Sequence, residues 1–363
     1  MEPIKYIFFN GKEFAEFVAL VKLMCSKDKG KQSKSVVLSV EDDKLVCRAS
    51  DDAFNLLEYN ITLYKNENQI NDPISLSIND LYVFVKNNSD EKFAIRNAHG
   101  QCEVRIIGGG WMPVSTFKYN MSKYNVDGDT QEIGKVNSVK FRNAISTVLG
   151  YTQDYTYARD KFIQFNKNSM IVTSRLSSVV MSDEFIDVTL HRDDAAVLKS
   201  LLKDNFDLSV NRITSDSIKR IQFSGPNFKF TTVENSIDAS DIKYNNSINN
   251  YISVDCGELF KLVTFSEEYS ASKQIVGLSI KNKALNVSIK NKFTVPHSSI
   301  IKSSIVGDIP NEVEEIKVPS HNLYKALKLF QDKHSRDVNI YIPDKNVIVI
   351  FDDNMQSTIN CPQ

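Results

Sequence analysis

Histidine is the commonest metal ligand in proteins, and the spacing of the histidines in this sequence does not favour that role. The 363 residues include 5 His, none of which stands in an HxH, HxxxH or HExxH pattern. All of them fall in turn-like or cap-like stretches, namely His99, His191, His297, His321 and His334. We therefore expect no metal site and no cofactor.

Two other patterns could carry chemistry. Gly108, Gly109 and Gly110 follow a strand-like run, but neither GK[ST] nor GxGxxG spacing follows, so a strand-end turn is predicted. Asp51 and Asp52 could form an acid–base pair, yet no carboxylate elsewhere converges on them, and we interpret both as surface charge. With no GxSxG elbow and no Walker loop, the sequence favours a protein that is not an enzyme.

The composition is that of an ordinary globular protein. The 44 basic and 45 acidic residues give a formal net charge of -1, a balance that would argue against a nucleic-acid partner. The 5 Cys are scattered without a CxxC pair, which predicts buried, reduced thiols rather than disulfides or a zinc site. No run of about 18 apolar residues predicts a membrane span, and the first residues lack a secretory pattern, so we expect a cytoplasmic protein.

Three hairpin-like segments recur along the chain, at 35–50, 161–175 and 275–290. Each has an alternating apolar run, a short polar turn and a second alternating run, which is typical of strand, turn and strand. The apolar residues that flank the turn are always five apart: Val40 and Leu45, Phe165 and Met170, Ile280 and Leu285.

Two helical patterns accompany each hairpin. One precedes it, at 13–25, 139–150 and 256–265. The other follows a short strand and repeats apolar residues at i, i+3 and i+4, at 74–86, 187–203 and 315–330. Asn79, Asp193 and Ser320 are the predicted N-caps of these later helices. Further strand pairs are predicted at 93–107, 206–233 and 338–351.

The order helix, strands, helix, strands thus occurs three times, with a period of about 120 residues. Linkers are predicted at 123–134 and 240–250, where periodicity fails and small polar residues gather. We predict an α+β fold of three consecutive repeats, with domains at 1–130, 131–248 and 249–363. The alternative is a set of unrelated α+β domains.

Charge is segregated by element type although it cancels overall. The predicted strands and turns carry acidic runs, whereas the polar faces of the predicted helices are mostly basic. The alternative interpretation is an ordinary solvated helix face with Lys placed to suit the helix dipole. The basic helix residues are Lys22, Lys86, Lys140, Arg142, Lys199, Lys203, Lys261, Lys325 and Lys328.

At this level the whole chain resembles the bacterial beta-type DNA sliding clamp, the beta subunit of DNA polymerase III. The resemblance rests on the chain length, the three repeats and the order of their elements. Shorter stretches of local sequence similarity lie at 42–61, 170–175 and 357–363. The chain resembles a divergent member of this family, of the kind that a phage or an AT-rich genome would encode. This resemblance implies a processivity factor whose two subunits close head to tail around duplex DNA, with helices lining the hole.

The resemblance implies that the basic helix faces contact phosphates without reading bases. It also places a DNA-touching loop at the end of the first helix, where the densest basic run lies; the alternative there is a solvated loop. Arg159, which enters the second hairpin, is a weaker candidate. The loop residues are Lys27, Lys29, Lys31 and Lys34.

The resemblance further implies a pocket for partner peptides, those of the replicative polymerase and the clamp loader. The residues carried over are Thr173, Arg175, Leu176, Ile359, Cys361 and Pro362, and core packing is the alternative for each. The segment 172–178 lacks the Gly-His dipeptide that the family has at this place. No FPDY-like motif, which the family also has, precedes the second linker. The shape of the pocket and its preferred motif are therefore left open.

Ring closure in this family pairs edge strands of the first and third domains. The candidates are the strand around 104–107 and a third-domain strand such as 284–289. A positive hole and a negative outer wall would also give near-zero net charge, which therefore does not exclude DNA. The alternative functions are a structural or phage assembly protein that uses the same repeat without DNA, and an enzyme with a cleft between domains.

Overall fold

The computed structural model describes residues 5–25, 35–51, 55–67, 72–86, 92–98, 101–106, 108–118, 124, 126–151, 158–174, 177–215, 218–235, 242–268, 275–289, 297–310 and 312–361. The chain falls into two compact units. The first unit comprises 1–142 and 193–235, and the second comprises 143–192 and 236–363. The predicted three-domain division stays a prediction.

Helices and strands alternate along the chain in the order that the periodicity predicts. Up to residue 149 they are β1 (Lys5–Asn10), α1 (Gly11–Cys25), β2 (Ser35–Glu41), β3 (Lys44–Ser50), β4 (Leu56–Glu67), β5 (Ile74–Ser77), α2 (Ile78–Lys86), β6 (Lys92–Ala98), β7 (Gln101–Ile106), β8 (Met112–Val114), β9 (Asp129–Asn137) and α3 (Ser138–Leu149). From residue 158 they are a 3-10 helix (Ala158–Lys161), β10 (Phe162–Asn166), β11 (Ser169–Ser174), β12 (Ser177–Ser182), β13 (Val188–His191), α4 (Arg192–Leu201), β14 (Asp207–Thr214), β15 (Lys219–Ser224), β16 (Phe228–Val233), β17 (Tyr251–Asp255), α5 (Cys256–Glu268), β18 (Ile275–Lys281), β19 (Ala284–Ile289), β20 (His297–Ile301), β21 (Ser303–Val306), β22 (Glu312–Pro319), α6 (Ser320–Asp332), β23 (Asp337–Asp344), β24 (Val347–Phe351) and β25 (Met355–Asn360).

The three predicted hairpins are confirmed as β2–β3, β10–β11 and β18–β19. The residues predicted to flank each turn are register partners: Val40 with Leu45, Phe165 with Met170, and Ile280 with Leu285. Both turn residues have positive φ in the first hairpin, at Asp42 and Asp43, and in the third, at Asn282 and Lys283. Positive φ at both positions matches a type I′ turn, whose twist suits a two-residue hairpin.

In the first unit the strands form one antiparallel sheet, in the order β8-β7-β6-β1-β4-β16-β15-β14-β9. β3 pairs with β4 and β2, and β2 pairs also with β5. The helices α1 and α2 pack against this sheet through phenylalanines that contact β6. The rings of Phe14 and Phe84 meet Phe93 edge to face, with centroids 6.3 and 5.0 Å apart. These aromatic contacts join both helices to the sheet core.

In the second unit the main sheet has the order β13-β10-β11-β12-β25-β24-β23-β17-β21. A separate four-stranded sheet has the order β20-β19-β18-β22. The helices α5 and α6 pack against each other, and their apolar stripes are fully buried at Leu259, Val263, Leu323 and Leu327. The predicted amphipathic spacing therefore marks the packed faces correctly.

The predicted N-caps are wrong by one or two residues. α2 begins at Ile78, and the backbone N–H of Asp80 donates to Ser77 Oγ at 3.3 Å, so Ser77 takes the capping position predicted for Asn79. α4 already includes Asp193, and α6 begins at Ser320 itself. In each case the helix begins at the residue that directly follows the preceding strand.

The predicted ring-closing edges are also wrong. β7, which holds most of 104–107, lies between β6 and β8, and β19 lies between β18 and β20. A strand paired on both sides offers no free edge. The ends of the described sheets include β8 in the first unit and β20 in the second.

Other composition-based predictions can be compared with the fold. None of the 5 Cys forms a disulfide; Cys47, Cys102, Cys256 and Cys361 are buried, and Cys25 is partly exposed. The α+β class is confirmed. None of the described helices has the length and apolar character needed to cross a membrane.

Candidate functional site

Most of the described basic residues that were predicted on helices reach solvent, although Lys203 lies just beyond the end of α4. Lys86, Arg142, Lys203, Lys261 and Lys328 are exposed, and Lys22, Lys140 and Lys199 are half-buried. Lys27, Lys29, Lys31 and Lys34 lie outside the described residues. Arg159 belongs to the 3-10 helix Ala158–Lys161, but its side chain is outside the described part.

In the first unit, some of these cations already have local partners. Lys22 Nζ donates to Asn79 Oδ1 at 2.6 Å and lies 5.2 Å from the centre of the Tyr82 ring, which ties α1 to α2. Lys203 Nζ lies 2.8 Å from Glu16 Oε1, in a pair of which about half remains solvent-exposed. An ion pair this exposed contributes at most about 1 kcal/mol, so a phosphate could compete for Lys203.

Lys325 departs from its predicted place on an exposed helix face, because its side chain is only 8% exposed. It lies in α6 between buried Leu323 and Leu327. α6 packs against α5 and also against β22 and β25, which widens its buried face beyond a single stripe. Lys328, one turn further on, is exposed as predicted.

The predicted peptide-binding residues come from neighbouring strands of the second unit. Thr173 on β11 pairs with Ser178 on β12, and Ser178 pairs in turn with Thr358 on β25. Ile359 follows directly and is fully buried, and Cys361 is 5% exposed. The structure thus brings Thr173 and the C-terminal strand together. Arg175, Leu176 and Pro362 lie outside the described residues.

Buried polar groups surround these strands, and sequence reasoning missed them. Thr173 Oγ1 donates to Asp160 Oδ1 at 2.9 Å, and Asn322 Nδ2 donates to Ser177 Oγ at 2.9 Å. All four residues are at most 8% exposed. They come from four separate elements, so no local spacing in the sequence could have revealed the cluster.

Two hydroxyls in the same region lack partners. Tyr151 is 1% exposed and Ser357 is fully buried, and neither the Tyr151 hydroxyl nor Ser357 Oγ has a hydrogen-bond partner among the described residues. Burial raises the pKa of Tyr151 to about 12. An unsatisfied buried hydroxyl costs about 1–3 kcal/mol, so this region holds unused hydrogen-bonding capacity.

The interpretation of Asp51 as surface charge is wrong. Asp51 is 6% exposed, and both its oxygens accept from Asn55, whose backbone N and Nδ2 lie at 2.9 and 3.0 Å. Asn55 Nδ2 also donates to Asp194 Oδ1 at 2.8 Å, and Thr232 Oγ1 donates to Asp194 Oδ2 at 2.6 Å. The carboxylates therefore belong to a buried structural network in the first unit.

No family model and no curated protein matches the sequence. Solved structures, in contrast, share this fold over nearly the full length of both chains. A DNA polymerase III beta subunit from Eubacterium rectale, itself given that function provisionally, superposes with a TM-score of 0.80 at 11% identity, covering 99% of both chains. A sliding clamp from Bartonella birtlesii bound to griselimycin gives 0.80 at 13% identity, covering 99% of this chain and 100% of that one.

The DNA polymerase III beta subunit from Thermotoga maritima gives a TM-score of 0.79 at 10% identity, again with 99% of both chains covered. Identities this low establish the fold alone. The chain therefore has the fold of DNA polymerase III beta subunit sliding clamps, and the predicted resemblance is confirmed at that level.

Proposed function

We propose that this protein is a divergent DNA sliding clamp, a non-enzymatic processivity factor that encircles duplex DNA and tethers the replicative polymerase. The observation that carries the proposal is the similarity of the fold to sliding clamps over 99% of the chain. The domains at 1–130, 131–248 and 249–363 would be its three repeats. A cytoplasmic location and a clamp loader as second partner belong to the same proposal.

Strand pairing supports a ring of two subunits. Within the chain, β16 pairs with β4 and β25 pairs with β12, so the last strand of one repeat joins the hairpin sheet of the preceding repeat. By the same rule, β8 of the first repeat needs a partner equivalent to β4 and β12. β20 holds that position in the third repeat, and both β8 and β20 are sheet ends. Two copies joined head to tail satisfy both edges.

The side chains at these edges suit an interface. Ile300 on β20 is 72% exposed, the largest exposure among the described large hydrophobic residues. Beside β8, the guanidinium groups of Arg96 and Arg105 lie 4.2 and 4.4 Å from the centre of the Trp111 ring. A cation stacked on an aromatic ring is held in a fixed orientation for an incoming partner.

DNA binding would be weak and independent of sequence. Exposed lysines and arginines on the helices would contact phosphates, so binding should fall steeply as salt is raised. Weak contacts permit sliding, whereas retention comes from the closed ring. Replacing Lys27, Lys29, Lys31 and Lys34 by Ser should lower retention on primed DNA while leaving the dimer intact. Unchanged retention at physiological salt would remove this loop from the mechanism.

The buried polar cluster of Tyr151, Ser177, Asn322 and Ser357 supports the proposed peptide site near Thr173 and Ile359. The Tyr151 and Ser357 hydroxyls have no hydrogen-bond partner among the described residues, but both are buried, so they mark incompletely satisfied packing beside the site rather than groups that a docked peptide contacts directly. The peptide segments of the polymerase and the clamp loader are the proposed ligands of this site.

A topological experiment tests encirclement. The variant combines Pro113→Cys on β8, Ile300→Cys on β20 and Cys25→Ser, and it is mixed with nicked circular plasmid before a bis-maleimide closes both interfaces. A covalent ring around DNA should remain with the plasmid in 1 M salt and in detergent, and a restriction cut should release it. Retention only before the salt wash, or equal retention on linear DNA, would favour a structural or assembly protein.

A further inference from the structure

A cavity of about 390 Å³ lies in the second unit, between the start of β22 and the end of β23. Its walls are apolar, since Ile280, Ile316 and Ile340 line it and each is at most 2% exposed. Ile309 and Pro310 cover it on the side of the loop that leads into β22. A cavity of this size falls within the range of ligand pockets, and it can hold bulky apolar side chains.

The rim of the cavity is acidic. Asp308, Glu312, Glu314 and Asp344 stand around it, and Lys345 is the only cation among the described residues of its lining. Lys345 pairs with Glu314, which lowers the pKa of that carboxyl. No cation among the described residues forms an ion pair with Asp308, Glu312 or Asp344 within 4.0 Å. The rim therefore carries an excess of negative charge that a basic ligand would neutralise.

The same strand presents an open edge. Among the described strands, β22 pairs with β18 alone, at one end of the four-stranded sheet. The register slips between Leu278 and Ile280, which places a bulge in β22 beside the cavity. Beyond the bulge, the stretch from Ile316 to Pro319 remains regular. An unpaired strand edge offers backbone N–H and C=O groups to an added strand.

The first unit shows what an equivalent edge accepts. β5 precedes α2 as β22 precedes α6, and a segment at 115–117 lies along it. Ser77 N–H donates to the carbonyl of Ser115 at 2.8 Å, and Phe117 N–H donates to the carbonyl of Ser75 at 3.1 Å. This covering segment belongs to the same chain, directly follows β8 and is followed by Lys118. No described segment covers β22 in this way.

We propose that β22 and its cavity bind an extended peptide segment of a partner protein, in which lysine or arginine flanks one or two bulky apolar side chains. The peptide backbone would add to the edge of β22, the apolar side chains would enter the cavity, and the basic side chains would meet the rim. The ligand is a protein segment because an acidic rim repels nucleic acid. This site shares no residue with the proposed DNA or peptide sites above, and it does not depend on ring closure.

The test uses a fluorescein-labelled heptapeptide that alternates lysine with isoleucine and phenylalanine, measured by fluorescence anisotropy with the full chain. A second heptapeptide carries glutamate in place of lysine. The first should bind, and the second should bind at least about tenfold more weakly. Glu312→Gln with Asp344→Asn should reduce binding of the first peptide by a similar factor. The matched control, Glu184→Gln with Asp353→Asn, removes two acidic residues elsewhere in the second unit and should leave binding unchanged.

Hydrogen exchange separates strand addition from loose ionic adsorption. Binding should slow exchange of β22 amides between Ile316 and Val318, and leave β19 amides unaffected. Ile342→Asn, which places an amide in the cavity wall, should weaken binding without altering the charge. Equal binding of both heptapeptides, equal loss in the control pair, or unchanged β22 exchange would each overturn the proposal. Self-association of the chain that the Glu312 and Asp344 substitutions abolish would also overturn it, because a second copy would then be the occupant.

Discussion

Two strand pairings between the proposed repeats, which we call joints, hold the chain together with different chemistry. The first joint is β4 with β16, and the second is β12 with β25. Charge crosses the first joint, because Glu58 on β4 accepts from Arg48 Nε at 2.9 Å and lies 3.1 Å from Lys229 Nζ on β16. The buried network of Asp51, Asn55, Asp194 and Thr232 described above lies beside it.

The second joint is built from neutral polar groups, and not all of them have a hydrogen-bond partner among the described residues. Ser177 on β12 accepts from Asn322, whereas Ser357 Oγ on β25 has no partner among the described residues. Paired polar groups rigidify a core, while unpaired ones lower stability and keep capacity for a ligand. The difference suggests that the first joint is a structural connection, and that the second is less stable near the proposed peptide site.

The largest expected effect concerns the proposed third joint, between β8 of one copy and β20 of another. Ile300→Glu places a charge at the centre of the proposed interface, and the solution mass should fall from two chains to one. Size-exclusion chromatography with light scattering at micromolar concentration measures it. Val139→Glu, a surface change on α3, should leave the dimer intact. A wild-type chain that is already monomeric would contradict the ring itself.

At the first joint, Asn55→Ala should destabilise the first unit by about 3 kcal/mol, because it leaves buried Asp51 and Asp194 without their shared donor. Urea unfolding followed by circular dichroism measures the loss. Asn97→Ala, at an exposed position on β6, should change stability by less than about 0.5 kcal/mol. A loss below about 1 kcal/mol for Asn55→Ala would show that the network is not what stabilises this joint.

Acid should also weaken the first unit through Glu41. Hydrogen bonds from Arg48 hold the pKa of Glu41 at about 2, below its ordinary value of 4.5. A lowered carboxyl pKa stabilises the fold above the ordinary value, and this contribution is lost as pH falls from about 4.5 toward 2. The Glu41 side chain is 44% exposed, so screening limits the contribution to about 1 kcal/mol or less.

Glu41→Gln should therefore flatten the fall in stability between about pH 5 and pH 3, as measured by urea midpoints at each pH. Glu184→Gln, at an exposed position, provides the comparison and should keep the wild-type slope. Identical slopes for all three proteins would mean that Arg48 gives Glu41 no net stabilisation.

The smallest effect is expected at the second joint. Ser357→Ala removes a hydroxyl that has no partner, so stability should stay within about 0.5 kcal/mol of wild type or rise slightly. Ser177→Ala removes the acceptor of Asn322 and should cost about 1–2 kcal/mol. Thermal unfolding of the two variants side by side decides between them. Equal losses would show that Ser357 is satisfied in solution and that the two joints are more alike than they look.

Local structure was predictable because its signals are local. The alternation at 35–50 fixes which residues face the core, and the polar pair between Glu41 and Lys44 fixes the register, so Val40 opposes Leu45 as predicted. Helix starts were less predictable, since a hydroxyl such as Ser77 caps as well as the Asn two residues later.

The joints and edges were not predictable, because they depend on contacts between distant residues. Asn55 and Asp194 are 139 positions apart, and nothing beside Asp51 indicates that its carboxylate is buried. Likewise, β7 looks like an edge until Met112–Val114 is known to pair with it. The burial of Lys325 depends on how α6 packs, which the helical periodicity alone does not specify.

The shortness of β8 has a mechanical consequence for the proposed ring. The internal joints are ladders of four residue pairs between β4 and β16 and five between β12 and β25. β8 has only 3 residues with which to form the intermolecular ladder. If force is shared equally around the ring, the strand ladder with the fewest residue pairs breaks first, so the ring would open between subunits while each chain stays folded. A clamp loader would then need to separate only a ladder of three residues.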